Sequence, residues 1–248
     1  MYRYGLVSVS FRGKTPEEIV DAMAEAGLTC IEWGSDVHAP CGDEERLKGI
    51  AALCRERGIE ICSYGSYFRV GQSPIEELPA YIRAAGLLGT HIIRVWCGVK
   101  GYRDYSTEEW AALCRVCRQA AAMAQKAGVT LCMECHVGTV TDCAEGALRL
   151  MKEVDSPSFR MYWQPNQFMS REENLDYAAR IAPYVTHLHV FNWDQHARHP
   201  LMDGKDAWTA YLKAFSPDSH LLLEFMPDDR IESLPAEADA VRQIGGAI

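Results

Sequence analysis

The stretch EEWAALCRVCRQAAAMAQKAGVTLCMECH, residues 108–136, holds the repeating unit from which the fold is read. Its first part is a continuous helical pattern that opens near Thr107. Gly128 closes it, because glycine takes a left-handed turn without a Cβ penalty. The run VTLCMEC, 129–135, then reads as a short apolar strand, with Glu134 at its carboxyl end. Working outward, the same order of strand, loop, helix and glycine turn recurs about every 30 residues.

Strand candidates are Tyr4–Val9, Cys30–Trp33, Glu60–Tyr64, His91–Trp96, Thr130–Glu134, Arg160–Trp163, Val185–Val190 and Leu221–Phe225. Helical patterns begin near Thr15, Glu44, Pro74, Thr107, Asp142, Arg171 and Lys205, and a last one runs from Leu234 to Ile244. Thr15, Pro16 and Glu18 spell a capping box with proline at the first helical position. Ser73-Pro74-x-Glu76 repeats that opening, and Thr107-x-x-Trp110 repeats it without the reciprocal acid. Ala26-Gly27, Arg57-Gly58 and Leu88-Gly89 repeat the glycine stop. Eight such units predict an α/β fold, a closed (β/α)8 TIM barrel, with residues 1–248 as one domain. After Val9 the chain reads SFRGKTPEE, with neither GxGxxG nor GxxxxGK, so no nucleotide loop is expected.

A formal charge of −9 and a pI near 5.4 argue against a nucleic-acid partner, since phosphate-binding surfaces are basic. No apolar run approaches membrane-spanning length, and the start, MYRYGLVSVSF, lacks the pattern of a secretory leader. The expectation is a cytoplasmic protein with reduced thiols. Two CxxC pairs, Cys114/Cys117 and Cys132/Cys135, imitate a zinc ribbon. The first lies within a helix, and the second on a strand, where residues three apart face opposite sides. Core and surface thiols are the reading.

In a barrel, active sites form at the carboxyl ends of the strands. Strands five to eight there deliver Glu134, Gln164, His189 and Glu224, in LCMEC, YWQPNQ, LHVFNW and LLLEF. A single glutamate at a strand end is cheap at a solvent edge. Two carboxylates pointing into a barrel with an imidazole between them need a cation or shifted pKa values. His187 shares the face of His189 but lies deeper, so His189 is preferred. Trp33, Trp96, Trp163 and Trp193 also stand at strand ends, where they either close the barrel top or wall a substrate pocket. His38, Arg94, His136, Asn166 and Asn192 are the polar candidates for that pocket.

These motifs, with IEWGSD at 31–36 and THLHVFNW at 186–193, resemble the xylose isomerase-like (β/α)8 superfamily, of the sugar phosphate isomerase/epimerase type. The likeness spans nearly the whole chain. It implies a metal held by Glu134, Gln164, His189 and Glu224, with Glu134 and Glu224 also the catalytic acid/base pair. The ion implied is Mn2+, with Mg2+, Co2+ or Zn2+ as alternatives. The implied activity is isomerisation or epimerisation of a sugar, ketose or polyol-derived keto compound through an enediolate. A metal-dependent lyase or dehydratase and a non-catalytic carbohydrate-binding barrel are the alternatives. The partner is then a small carbohydrate or polyol, and a homo-oligomer is compatible. The chain departs from the family pattern at Gln164, where an Asp is usual, and at Gln167, Val140 and Gln195. The amide at 164 removes one negative charge from the site.

Overall fold

The computed structural model describes residues 2–248. Eight strands alternate with eight main helices: β1 (Arg3–Val7), α1 (Pro16–Glu25), β2 (Cys30–Gly34), α2 (Glu44–Glu56), β3 (Glu60–Val70), α3 (Leu78–Leu88), β4 (Ile92–Cys97), α4 (Thr107–Ala127), β5 (Thr130–Glu134), α5 (Ala144–Val154), β6 (Phe159–Trp163), α6 (Arg171–Ile181), β7 (Val185–Val190), α7 (Lys205–Leu212), β8 (His220–Leu223) and α8 (Leu234–Gly245). All strand pairs are parallel, neighbours in sequence pair, and β8 closes on β1 through Arg3↔His220 to Leu6↔Leu223. This is the (β/α)8 TIM barrel expected from the repeat.

Local chemistry sets the helix starts. Thr15 and Glu18 form the predicted capping box, and Ser170 with Glu173 forms another. Two expectations need correction. The cap of α4 is Ser106, not Thr107, and Glu109 supplies the reciprocal acid. Ser73 caps no helix. Its hydroxyl accepts from the Arg69 N–H, and a short 3-10 turn over Ile75–Glu77 precedes α3.

Strand alternation divides the apolar residues into two sets. Val7, Val9, Cys30, Cys62, Cys132, Tyr162 and Leu222 form a small cluster drawn from six strands and the 3-10 turn after β1, which fills the barrel interior. A much larger cluster lies between the strands and the helices. Cys132 falls in the first set and Cys135 in the second, so no zinc-ribbon geometry exists there; all ten cysteines are free. Gly5 shows how tight the interior is, since a Cβ there would lie 2.2 Å from the Cys30 carbonyl oxygen. Among the described residues no helix is long and apolar enough to cross a membrane.

Candidate active site

Above the interior cluster, toward the carboxyl ends of the strands, the barrel turns polar. His189, near the end of β7, is wholly buried. Its Nδ1 faces three oxygens: Gln164 Oε1 at 3.0 Å, Glu224 Oε2 at 3.5 Å and Glu134 Oε1 at 3.6 Å. One ligand atom each from Glu134, His189 and Glu224 lies within 4.8 Å of the others. Glu134 ends β5, Gln164 follows β6 and Glu224 follows β8, so two strands and two loops converge on this point.

The other imidazole nitrogen, Nε2, lies 3.5 Å from Glu32 Oε1. That is an ionic contact rather than a hydrogen bond, and Nε2 has no hydrogen-bond partner. Glu32 on β2 is itself wholly buried. Its Oε2 accepts from Ser63 Oγ at 2.7 Å and its Oε1 from Arg94 Nε at 3.2 Å. Arg94 also donates to the Ser66 carbonyl at 3.1 Å and reaches Glu134 Oε2 at 3.2 Å. Trp96 Nε1 donates to that same Glu134 oxygen at 2.6 Å. Gly65 makes room for this network, because a Cβ there would lie 2.6 Å from Glu32 Oε1 and 3.0 Å from Arg94 Nη2.

The donor set fits a divalent cation. Ligand atoms that each sit about 2.0–2.2 Å from one ion are separated by distances like those around Nδ1. With its hydrogen on Nε2, on the side of Glu32, the neutral ring leaves the Nδ1 lone pair free to ligate. Charge agrees: three buried carboxylates against the one Arg94 guanidinium leave two negative charges when His189 is neutral.

Protons respond to the same field. Burial alone would lower the His189 pKa, but Glu224 and Glu32, with Glu134, outweigh it and raise it to about 10. Burial raises the Glu32 carboxyl, yet Arg94 and His189 bring it down to about 2. Glu134 is likewise held low against its burial, by Arg94 first. Glu224 moves the other way, raised by burial and by the nearby Glu134. A metal at Nδ1 must therefore displace a proton. Mn2+ affinity should rise about tenfold per pH unit between pH 6 and 9, below the His189 value. Titrations at several pH values read this directly, and a flat profile would mean that no proton leaves His189 when the ion binds.

Of the expected pocket residues, Trp96 lies at the site. Its ring meets Tyr67 at 5.2 Å and His136 at 5.3 Å, under the Arg69 guanidinium at 4.7 Å. Arg94 is the hub of the carboxylate network described above. His136, Gln164, Asn166 and Trp193 line one narrow cavity of about 60 Å³ above β5 and β6. The Asn166 side chain is committed to loop backbone, donating to the Asp142 carbonyl of the loop before α5 and accepting from Phe168 N–H in its own loop. Three expectations are corrected. Trp33 and Trp163 point to the helix side, where Trp163 packs on Phe215 and Tyr211 at 5.1 and 5.3 Å. His38 is buried between Ser8 Oγ and the Lys14 carbonyl, each 3.1 Å from a ring nitrogen. Val140 is buried in the outer core and Gln195 is exposed.

Glu32, Ser63, Tyr67 and Phe225 were not among the expected site residues. For Glu32 the signal was present: a lone acid inside the strand CIEWG needs a partner if it faces inward.

The comparisons with known proteins agree with this architecture. A family profile described as xylose isomerase-like TIM barrel matches residues 20–244. A 3-dehydroshikimate dehydratase of Bacillus anthracis is 24% identical over 205 residues, covering 77% of this chain and 71% of that protein. The crystal structure of a probable 3-DHS dehydratase from the same organism superimposes with a TM-score of 0.82 at 21% identity, over 97% of this chain and 98% of the other. D-psicose 3-epimerase from Clostridium cellulolyticum H10 gives 0.68 at 13% identity, over 99% of each chain. At these identities the structural matches speak for the fold alone. The chain belongs to the xylose isomerase-like TIM-barrel family.

Proposed function

We propose that this protein is a divalent-metal-dependent lyase of the dehydratase type. It removes the proton beside the carbonyl of a polyhydroxylated keto compound, and a neighbouring hydroxyl leaves. The observation that carries this reading is the inequality of the two carboxylates. Glu134 Oε2 is loaded with the Trp96 N–H and faces Arg94. Among the described residues, Glu224 receives no side-chain hydrogen bond of that kind and only faces His189 Nδ1. Hydrogen bonds and a guanidinium on a carboxylate favour its charged form and weaken it as a base. Glu224 is therefore the base, and Glu134 is a fixed anion.

A bound divalent ion supplies Lewis-acid polarisation of the substrate carbonyl. His189, Glu134, Glu224 and the Gln164 amide oxygen are the residues that would hold it. Glu32 keeps the His189 ring turned so that Nδ1 faces the site. Glu224 takes the α-proton, and the same carboxyl then returns it to the departing hydroxyl, so that water leaves as the carbon–oxygen bond breaks. Trp96 and Tyr67 form one wall against which the substrate rests.

A second reading, isomerase or epimerase, draws on the convergence of Glu134 and Glu224 on one point. An epimerase needs both to act as bases of similar strength, which their surroundings disfavour. Incubation of Mn2+-loaded protein in deuterated water with 3-dehydroshikimate, a keto-inositol and D-psicose, followed by NMR, separates the outcomes. Dehydration gives an unsaturated product. Epimerisation gives deuterium at an inverted carbon. No exchange with any of them would leave a binding barrel.

The amide at 164 gives a separate test. Gln164→Asp should tighten Mn2+ binding by about tenfold, because a charged oxygen replaces a neutral one beside His189. Calorimetric titration measures it, and equal affinity would mean that the residue does not face the ion.

A further inference from the structure

Beside Glu224, between the loops after β1 and β8, a cleft of about 500 Å³ opens at the catalytic end of the barrel. Arg12 and Lys14 contribute to one wall and Arg198 and Arg230 to the other, with Phe225 between them. Asp229 and Glu232 are the acids that share the lining. Each of the four cations is matched by a carboxylate, Arg12 by Asp36, Lys14 by Glu18, Arg198 by Asp229 and Arg230 by Glu232, and the guanidiniums keep further N–H groups beyond these pairs.

Two of these guanidiniums are held in place. Arg12 donates to the Tyr67 hydroxyl at 2.6 Å and to the Val9 carbonyl at 3.3 Å, and it pairs with Asp36. Arg198 lies 4.4 Å over the Phe225 ring and 5.0 Å over Trp193, and it pairs with Asp229. Arg12 meets the same Phe225 ring at 5.8 Å. Phe225 adopts a left-handed backbone at φ 59°, unusual for a bulky residue, with its N–H held by Ser10 Oγ at 2.8 Å. The chain thus turns sharply right after the proposed base, and places an aromatic face between two fixed cations.

We propose that this cleft binds an anionic group, a carboxylate or a phosphate, carried by the substrate whose reacting carbon lies at Glu224. The inference rests on the reading of the mouth as a metal-dependent active site. Guanidiniums pair with both kinds of oxyanion through charge-assisted hydrogen bonds. Because Arg12 and Arg198 are already ordered, little side-chain freedom is lost when the anion arrives. The Phe225 ring offers an apolar surface to the C–H face of the substrate between its anion and its carbonyl. An anion fixed there orients the α-carbon toward the base, which is how binding remote from the reacting atoms promotes a proton transfer.

The test is calorimetric titration of the Mn2+-loaded full chain with inorganic phosphate, with quinate (a cyclic polyol carboxylate) and with neutral myo-inositol. Arg198→Met and Arg12→Met are titrated alongside. At least one anion should bind more tightly than myo-inositol, and each variant should weaken that anion about tenfold. Mn2+ affinity should stay unchanged in both variants, which also shows that they fold. Added salt should weaken only the anions. Preference for quinate marks a carboxylate substrate, and preference for phosphate marks a phosphate ester. Failure of both anions to bind, or binding that both variants retain, overturns the proposal, since a retained anion sits elsewhere, for instance on the metal. If the wild-type chain does not take up Mn2+, the proposed function fails, while the same titrations of the metal-free chain still decide the cleft.

Discussion

Glu224→Gln should slow exchange of the substrate's α-proton with solvent by about 10²–10⁴-fold, the usual contribution of a positioned general base. The substitution keeps the volume and one ligand oxygen, and removes the ability to take a proton. Glu134→Gln should behave differently. It leaves Arg94 with one fewer carboxylate and takes a charge from the cation site, so its main effect should be weaker Mn2+ binding. Proton exchange followed by NMR at saturating Mn2+, with the metal affinity of each variant measured separately, distinguishes them. Equal losses of exchange in both variants at full metal occupancy would support two equivalent bases and favour the epimerase reading. Full exchange by Glu224→Gln would remove Glu224 as the base.

Glu32→Gln should cost about 3–5 kcal/mol of stability in chelator at pH 7, the range for breaking one side of a buried ion pair. Glu32 has no exposed surface, and it faces both Arg94 Nε and His189 Nε2. The pH dependence has a definite sign. The folded-state pKa, about 2, lies below the ordinary 4.5, so the charged form is favoured by folding. Its contribution is complete above pH 4.5 and is lost as the pH falls toward 2. The stability gap between the wild type and Glu32→Gln should therefore be widest near neutrality and narrow in acid. Urea denaturation at pH 7, 4.5 and 3 would measure it. A gap that stays constant over this range would mean that the charge of Glu32 is not what stabilises the fold.

The barrel was legible because its unit repeats, and each repeat carries its own punctuation. Gly89 and Gly128 end α3 and α4 in the left-handed conformation, as their positions after helical runs implied. Glu134, His189 and Glu224 could be grouped because they recur at strand ends that a closed barrel makes neighbours. Which face each strand turns inward was harder to read. All five residues of β2 are buried, since both sides of a barrel strand are covered, so hydrophobicity does not separate Glu32 from Trp33. That ambiguity set Trp33 at the mouth and passed over Glu32. Trp163 was misplaced for the same reason, with Tyr162 taking the inward position. Arg12 and Phe225 meet across a long interval of sequence, and only closure of β8 against β1 brings them together.

Gly65 also constrains the order in which this site could diversify. Any side chain at 65 collides with Glu32, and Glu32 and Arg94 hold one another in place. Substitutions at positions 32, 65 and 94 are thus coupled, and a single step at any of them meets an unaltered and incompatible pair. Arg198 and Phe225 stand outside that lock, so one-step exploration of new substrates is directed to the rim while the inner triad stays fixed.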